Sequence, residues 1–169
     1  ELGSNIDLTA YSNWTPIGWN ATFKGKFDGV KHSISNLKIN TTSTANNQYY
    51  GLFGNNQSGT IINVSLTGIN ITVTNNANAE LCVGGLVGYN DGTILNCSAT
   101  GTLAGSTNSS STNYTYWGGL VGKNSQGILK NCYSAVSVSV AGVDKPYDMG
   151  TPFVGGVAGR NTANTAGRV

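Results

Sequence analysis

The chain has 169 residues, a net charge of +2 and 9% charged residues, and glycine, asparagine, threonine and serine fill 81 of its positions. This composition excludes a helical bundle, because asparagine, serine, threonine and glycine all compete with the helical backbone. The low net charge and the 38% of apolar residues argue against disorder. With no basic run and no long apolar stretch, the chain offers no site for nucleic acid and no segment for membrane insertion.

The first 40 residues contain short motifs separated by turn residues. These motifs are Asn5-Ile6-Asp7-Leu8, Trp14-Thr15-Pro16-Ile17-Gly18, Phe23-Lys24-Gly25-Lys26-Phe27-Asp28-Gly29 and His32-Ser33-Ile34. Residues 1–40, which we call the lead-in, precede the repeats described next.

Four later segments share a glycine–aliphatic–glycine core. They are Gly51-Leu52-Phe53-Gly54, Gly85-Leu86-Val87-Gly88, Gly119-Leu120-Val121-Gly122 and Gly156-Val157-Ala158-Gly159. Their first glycines are 34, 34 and 37 residues apart, and an asparagine follows each core shortly afterwards. These asparagines are Asn55 or Asn56, then Asn90, Asn124 and Asn161.

A second motif follows three of these cores. It occurs as Ile61-Ile62-Asn63-Val64-Ser65, Ile94-Leu95-Asn96-Cys97-Ser98 and Leu129-Lys130-Asn131-Cys132-Tyr133-Ser134. A similar segment, Ile34-Ser35-Asn36-Leu37, stands alone before the first core. Two motifs that recur in a fixed order indicate a repeat protein.

These motifs resemble the GLUG-motif repeats of secreted and surface-anchored microbial proteins, which include large adhesins and accessory regions of extracellular proteases. The lead-in is similar to the segment that often precedes such repeats. It departs at Val30-Lys31, where glycine is commoner, and the last repeat lacks its second half. The resemblance implies a β-solenoid on an extracellular or cell-surface protein, and it implies no enzymatic activity.

The residue pattern favours the same architecture. Short β-branched runs alternate with glycine and asparagine turns, and one such unit cannot bury its apolar face alone. We therefore predict an all-β, right-handed parallel β-solenoid of about five coils, with residues 1–169 as one domain. Its repeats start near residues 49, 83, 117 and 154, and the last repeat is truncated.

Stacked coils place like positions in rows about 4.8 Å apart. Aligning the repeats on their first glycines predicts one row of Tyr49, Val83, Trp117 and Val154, and a neighbouring row of Cys82, Tyr116 and Phe153. The second motif predicts an inward row of Leu37, Val64, Cys97 and Cys132, beside a structural ladder of Asn36, Asn63, Asn96 and Asn131. Stacked amides can hydrogen-bond along such a ladder without any ligand.

The three cysteines are interpreted as small inward hydrophobes. Cys97 and Cys132 fall in adjacent coils, within the Cα separation of a disulfide. Side chains stacked on parallel strands point the same way, however, which suits a bridge poorly. A Cys97–Cys132 disulfide stays open as the alternative, and Cys82 shares its row with aromatic rings.

We expect no catalytic, metal-binding or cofactor-binding residue. Of the seven acids, only Asp144 and Asp148 lie close together in sequence, and no two acids recur at matching repeat positions. A glycosidase pair or a calcium cage needs clustered carboxylates.

The sequence contains nine N-x-S/T sequons, and glycosylation requires an exposed asparagine. The candidate acceptors are Asn13, Asn20, Asn40, Asn70, Asn108 and Asn113, in a source that glycosylates its surface proteins. Asn63 and Asn96 are set aside because they belong to the ladder that we expect to face inward. Segments of variable length occupy residues 41–48, 74–80, 105–114 and 141–152, and insertions of this kind tend to collect on one face of a solenoid.

The leading hypothesis is a non-catalytic structural or adhesive module of an extracellular or cell-surface protein, which presents variable loops or acts as a spacer. Its partners would be cell-surface or matrix glycans or proteins. One alternative is a surface filament or sheath subunit that assembles end to end through copies of itself. Another alternative is an extracellular polysaccharide-processing enzyme on the same fold.

Overall fold

The computed structural model describes residues 1–45, 48–107, 113–141 and 151–162, and this part of the chain contains strands and turns but no helix. In chain order the strands are β1 (Ile6–Asp7), β2 (Lys26–Asp28), β3 (Ser33–Ser35), β4 (Lys38–Ser43), β5 (Gln48–Tyr50), β6 (Phe53–Asn56), β7 (Thr60–Ile62), β8 (Ser65–Asn75), β9 (Leu81–Gly84), β10 (Val87–Asn90), β11 (Thr93–Leu95), β12 (Ser98–Thr107), β13 (Thr115–Gly118), β14 (Val121–Asn124), β15 (Ile128–Lys130), β16 (Tyr133–Ala141), β17 (Pro152–Gly155) and β18 (Ala158–Asn161).

The strands form four parallel sheets. Sheet I contains β2, β7, β11 and β15; sheet II contains β1, β3, β4, β8, β12 and β16; sheet III contains β5, β9, β13 and β17; sheet IV contains β6, β10, β14 and β18. The chain passes through sheets I, II, III and IV in that order and then repeats the circuit. The fold is a parallel β-solenoid, as the sequence predicted, with about four turns.

Each sheet contributes one row of apolar side chains to a shared core. The rows are Phe27, Ile61, Ile94 and Leu129 in sheet I; Ile39, Ile71, Leu103 and Val138 in sheet II; Tyr50, Val83, Trp117 and Val154 in sheet III; and Phe53, Val87, Val121 and Ala158 in sheet IV. The second and third residues of each row, which belong to the two middle coils, are fully buried. Burial of apolar area from coil to coil is thus the main stabilising term of the fold.

The two ends of this core differ. At the first coil, the lead-in lies against sheet IV: Ile17 bridges to Phe53, and the ring of Phe23 packs 4.9 Å from the ring of Phe53. The indole of Trp14 donates a hydrogen bond to the carbonyl of Leu52. At the last described coil, apolar side chains are open to solvent, with Val154 at 49% exposure.

The predicted row through Tyr49 is wrong by one residue. Tyr50, not Tyr49, pairs with Val83, while Tyr49 pairs with Cys82. Two residues separate Tyr50 from Phe53, whereas three separate Val83 from Val87 in the next coil. Aligning the repeats on their first glycines therefore shifts β5 by one residue relative to the other strands of sheet III. A shift of one residue turns every side chain of a strand to the opposite face of the sheet.

The predicted rows through Asn36 and Leu37 are also out of register. Ser35 pairs with Thr67 and Lys38 with Asn70, so Asn36 lies opposite Gly68 rather than Asn63. The lead-in coil has four residues between β2 and β3, whereas later coils have two residues at the same corner. The likeness of the Asn36 segment to the second motif is thus a likeness of sequence and not of position.

No helix among the described residues has the length and the apolar character needed to cross a membrane.

Candidate functional site

A buried row of asparagines runs along sheet IV. Asn56 Nδ2 donates to Asn90 Oδ1 at 2.7 Å, Asn90 Nδ2 to Asn124 Oδ1 at 2.7 Å, and Asn124 Nδ2 to Asn161 Oδ1 at 2.8 Å. Asn56, Asn90 and Asn124 are at most 1% exposed. Buried amides of this kind need partners, and each coil supplies them to the next.

Each buried amide also closes the turn that follows it. The second Nδ2 hydrogen of Asn90 is donated to the carbonyl of Gly92 at 3.1 Å, and that of Asn124 to Gly127 at 2.8 Å. A side chain at Gly92 would collide with the amide of Asn56 in the preceding coil. The sequence carries a signal for this row, since an asparagine stands five residues after each first glycine of the repeats.

A second asparagine row lies at the corner between sheets I and II. Asn131 Nδ2 donates to Asn96 Oδ1 and Asn96 Nδ2 to Asn63 Oδ1, both at 3.2 Å, and Asn63 Nδ2 donates to Asp28 Oδ1 at 3.0 Å. Asp28 supplies the acceptor at the start of this row, although its backbone pairs with Ile62, one residue before Asn63. The sequence alignment had placed Asn36 there. Asn96 and Asn131 are exposed, so the expectation that the row faces inward is wrong.

Backbone conformation explains why asparagine recurs at this corner. Asn63, Asn96 and Asn131 have φ values of 55°, 53° and 54°, in the left-handed region that asparagine tolerates better than most residues. Asn36 also has a positive φ, of 61°, but its Nδ2 donates to Asp7 Oδ1 and to Thr9 Oγ1. Asn36 therefore stabilises a separate turn with the first strand.

The cysteines are free thiols. Val64, Cys97 and Cys132 lie in one row beside the exposed asparagines. Burial raises the pKa of Cys97 to about 12, and it also raises the pKa of the half-buried Cys132. Burial, followed by the charge of Glu80, raises the pKa of Cys82 well above its usual value. All three thiols are thus held in their protonated, weakly nucleophilic form at neutral pH.

Four of the candidate glycosylation acceptors are exposed, namely Asn13, Asn20, Asn40 and Asn70. Asn113 is half-buried, and its Nδ2 donates to the backbone carbonyl of Asn78 at 2.8 Å. A glycan on Asn113 would attach at this same nitrogen and disturb that contact. Asn108 lies outside the described residues.

The four variable segments share one position in the circuit. Each connects a strand of sheet II to a strand of sheet III, so all of them leave the solenoid at the same corner. In the two middle coils, the described residues at this corner are 76–80 and 113–114. Parts of the other variable segments, including Asp144 and Asp148, lie outside the described residues.

Aromatic and basic side chains from sheets III and IV meet beside this corner. Tyr116 stacks on Phe153 with ring centroids 5.4 Å apart, and Tyr114 meets the edge of Phe153 at 5.5 Å. Lys123 Nζ lies 5.0 Å from the centre of the Tyr116 ring, and the Arg160 guanidinium lies 5.6 Å from it. We call these five residues the aromatic–basic cluster.

The two cations of the cluster have different partners. Lys123 forms an ion pair with Glu80, with 2.6 Å between Nζ and Oε2. Burial by itself lowers the pKa of Lys123, but the hydrogen bond and the charge of Glu80 raise it above its usual value. Arg160 donates to the hydroxyl of Tyr116 at 2.9 Å and has no carboxylate partner among the described residues.

Within the described ranges, no three His, Cys, Asp or Glu side chains are grouped so that they could hold a metal ion. Two further carboxylates stabilise turns: Asp7 accepts hydrogen bonds from Thr9, and Asp91 accepts one from the backbone of Gln126.

Comparison with known proteins agrees with the repeat pattern. The model of the GLUG motif matches residues 79–104 and residues 113–139. Each matched stretch includes a strand of sheet III, one of sheet IV, one of sheet I and most of one of sheet II, which is one circuit of the solenoid.

Two proteins are similar to a larger part of the chain. One, named as a Gly-rich membrane protein of Evansella cellulosilytica, is 42% identical over 105 residues, which are 58% of this chain and 12% of that protein. The other, Halomucin of Haloquadratum walsbyi, is 36% identical over 115 residues, which are 62% of this chain and 1% of that protein. The chain thus spans a small fraction of the length of either relative, and neither name denotes an enzyme.

No solved structure matches the chain. The motif matches, the two relatives and the order of the strands agree with one another, and the resemblance drawn from the sequence is confirmed. Residues 79–104 and 113–139 of the chain are GLUG motifs.

Proposed function

We propose that the chain is a structural and adhesive module of an extracellular or cell-surface protein. In this proposal the solenoid is a stiff spacer, and the corner between sheets II and III contacts glycans or proteins outside the cell. The observation that carries it is the shared exit of all four variable segments at that corner. The names of the two relatives, a membrane protein and a halomucin, are consistent with a place at the cell surface.

The core and the variable segments can have separate roles because of how a solenoid is stabilised. Stability comes from contacts between neighbouring coils, so segments that leave one corner can change length without loss of the core. Loops held on a rigid scaffold are a common location for recognition. The same arrangement lets the repeats diverge in binding while the asparagine and apolar rows are retained.

The test uses beads coated with the chain and a panel of immobilised extracellular polysaccharides and proteins. We expect binding that is lost when residues 108–112 and 142–150 are replaced by short Gly-Ser linkers, with an unchanged thermal midpoint. The matched control carries Gln126→Ser, at the turn between sheets IV and I, and Lys130→Gln, on the exposed strand β15 of sheet I, and it should bind as the parent does. Equal binding by all three proteins, or by none of them, would overturn the adhesive role.

A second candidate is assembly end to end, in which the exposed Phe153, Val154 and Val157 of the last described coil would pack against a second copy of the chain. The other end is covered by the lead-in, so a copy that docks there would first have to displace Trp14, Ile17 and Phe23. A sedimentation series across protein concentration tests this candidate. Growing species support a filament, and one monomeric species at every concentration rejects it.

A further inference from the structure

We propose that the aromatic–basic cluster binds an acidic sugar, with the sugar carboxylate at Arg160 and the face of the ring against Phe153 and Tyr114. This inference rests on the proposed function, because it names the ligand class that the corner between sheets II and III would contact.

The cluster holds a cation in a fixed orientation. The Arg160 guanidinium lies 5.6 Å from the centre of Tyr116 and 5.8 Å from that of Phe153, and the Tyr116 hydroxyl accepts one of its hydrogens. A guanidinium carries five N–H donors in a planar fork, so four donors remain after this bond. Cation–π contact with two rings holds the fork in place before any ligand arrives.

The local charge favours an anion. Lys123 and Arg160 are register partners on adjacent strands, which brings two positive charges close together. Glu80 neutralises only Lys123, and Arg160 has no carboxylate partner in the part of the chain that the structure describes. Like charges on neighbouring strands repel each other, and an anion bound at Arg160 would relieve that repulsion. Bidentate hydrogen bonding to a carboxylate is what an arginine fork supports best.

The exposed rings favour a sugar over a simple anion. Phe153 is 39% exposed and its ring centre lies 5.8 Å from the guanidinium. Tyr114 is 38% exposed and meets the edge of Phe153. The C–H face of a pyranose ring packs on aromatic faces, since both surfaces are apolar and flat. A uronic acid combines such a face with a carboxylate on the same ring.

The probe is a short oligogalacturonate, and its methyl ester is the matched ligand with the charge removed. Titration calorimetry with the parent chain should give binding to the acid at least about tenfold tighter than to the ester, because a charge-assisted hydrogen bond would be lost. Arg160→Gln should weaken binding of the acid by about the same factor. Arg160→Lys keeps the charge but loses the planar fork. Its affinity for the acid should therefore lie between that of the parent chain and that of Arg160→Gln.

Two further variants separate the contributions. Phe153→Leu should weaken the acid and the ester alike, since it removes the stacking face. Lys130→Gln removes one positive charge from an exposed strand of sheet I and should leave binding unchanged. Equal effects of Arg160→Gln and Lys130→Gln would overturn the proposal, as would equal affinity for the acid and the ester. Equally tight binding of polyglutamate would also overturn it, because the ligand would then be an acidic peptide.

The two proposals can fail separately. If coated beads of the Arg160→Gln, Phe153→Leu double variant still adhere while the linker variant does not, the module is adhesive but the cluster is not its sugar site. If neither the parent nor the variants adhere to any surface, the proposed function fails first.

Discussion

Two rows of asparagine side chains run the length of this solenoid and differ mainly in burial. The buried row of sheet IV has amide-to-amide distances of 2.7, 2.7 and 2.8 Å, whereas the exposed row at the corner between sheets I and II has distances of 3.0 Å from Asn63 to Asp28 and 3.2 Å for the other two bonds. Both rows recur once per coil. The comparison teaches that repetition of a residue reveals that a position matters, but not which property of the residue is used.

The two rows use different properties of asparagine. In the buried row the side-chain amide is the essential feature, because it bonds to the next coil and to a glycine carbonyl in its own turn. In the exposed row the essential feature is tolerance of a positive φ, while water can replace the side-chain bonds. Glycine accepts a positive φ but has no side-chain amide. Replacing asparagine by glycine should therefore destabilise the buried row much more than the exposed row.

The largest effect is expected for Asn90→Ala. The change removes three hydrogen bonds and leaves the Oδ1 of Asn124 and one Nδ2 hydrogen of Asn56 buried without a partner. The carbonyl of Gly92 keeps the hydrogen bond from the backbone N–H of Ile128. At about 1–3 kcal/mol for each unsatisfied buried group, the free energy of unfolding should fall by about 3–5 kcal/mol. Chemical denaturation followed by circular dichroism measures it.

Asn90→Gly is the companion variant for this row. It should be as destabilising as Asn90→Ala, since a freer backbone does nothing for a missing amide. A loss below about 1 kcal/mol for either variant would mean that buried water satisfies the row, and the contrast between the rows would disappear.

Asn96→Ala, in the exposed row, should lower the free energy of unfolding by about 1 kcal/mol, because alanine is strained at a φ of 53°. Asn96→Gly should regain most of that loss, since glycine adopts positive φ without strain. The same denaturation series measures both variants. If glycine proved as harmful as alanine at this position, the side-chain bonds of Asn96 would be the stabilising feature and the two rows would be alike.

The sequence was sufficient for the architecture. Constant spacing of two motifs indicated stacked coils, and the short β-branched runs indicated parallel strands, so the solenoid could be predicted without any contact information. The register could not be predicted as reliably. A missing residue after Tyr50 and two extra residues after Asp28 change the pairing of whole strands, and neither change interrupts the motifs from which the repeats were aligned.

The candidate site was predicted only in part. The sequence indicated that variable segments would gather on one face, and they do share one corner. The aromatic–basic cluster was not foreseen, because its members lie on different sheets and meet only once the register is known. Tyr116 and Phe153 were placed in one row, but nothing in the spacing indicated that Arg160 would lie against both.

A substitution at the corner of the lead-in coil should stabilise the chain instead of destabilising it. Val30 and Lys31 have φ values of 44° and 67° where later coils use asparagine. A β-branched residue is strained there, so Val30→Gly should raise the free energy of unfolding by about 1 kcal/mol. Val157→Gly is the control, because Val157 is equally exposed and glycine should gain nothing there. A thermal midpoint that falls with Val30→Gly would show that the valine side chain stabilises this corner.

The smallest effect concerns two carboxylates, Asp28 at the start of the exposed row and Asp7 in the turn that Asn36 stabilises. A hydrogen bond from Asn63 lowers the pKa of Asp28, and hydrogen bonds from Thr9 and then Asn36 lower the pKa of Asp7 from 3.8 to about 2. Both acids bind protons less readily in the folded chain than in the unfolded chain. The stabilising contribution of Asp7 is therefore complete above a pH near 3.8 and is lost as the pH falls toward about 2. The contribution of Asp28 is likewise lost as the pH falls below its usual pKa, because its pKa in the folded chain is lowered.

Asp28→Asn tests this contribution and connects it to the two rows. The new amide oxygen can still accept the hydrogen bond from Asn63, so the exposed row would begin with an asparagine, as the buried row does. Thermal midpoints measured from about pH 5 to about pH 2 should fall less steeply in the Asp7→Asn, Asp28→Asn double variant than in the parent. Parallel curves for the two proteins would mean that these carboxylates contribute nothing to acid sensitivity. A flatter curve, with the midpoint at neutral pH retained, would show that the exposed row needs an acceptor at its first position but not a charge.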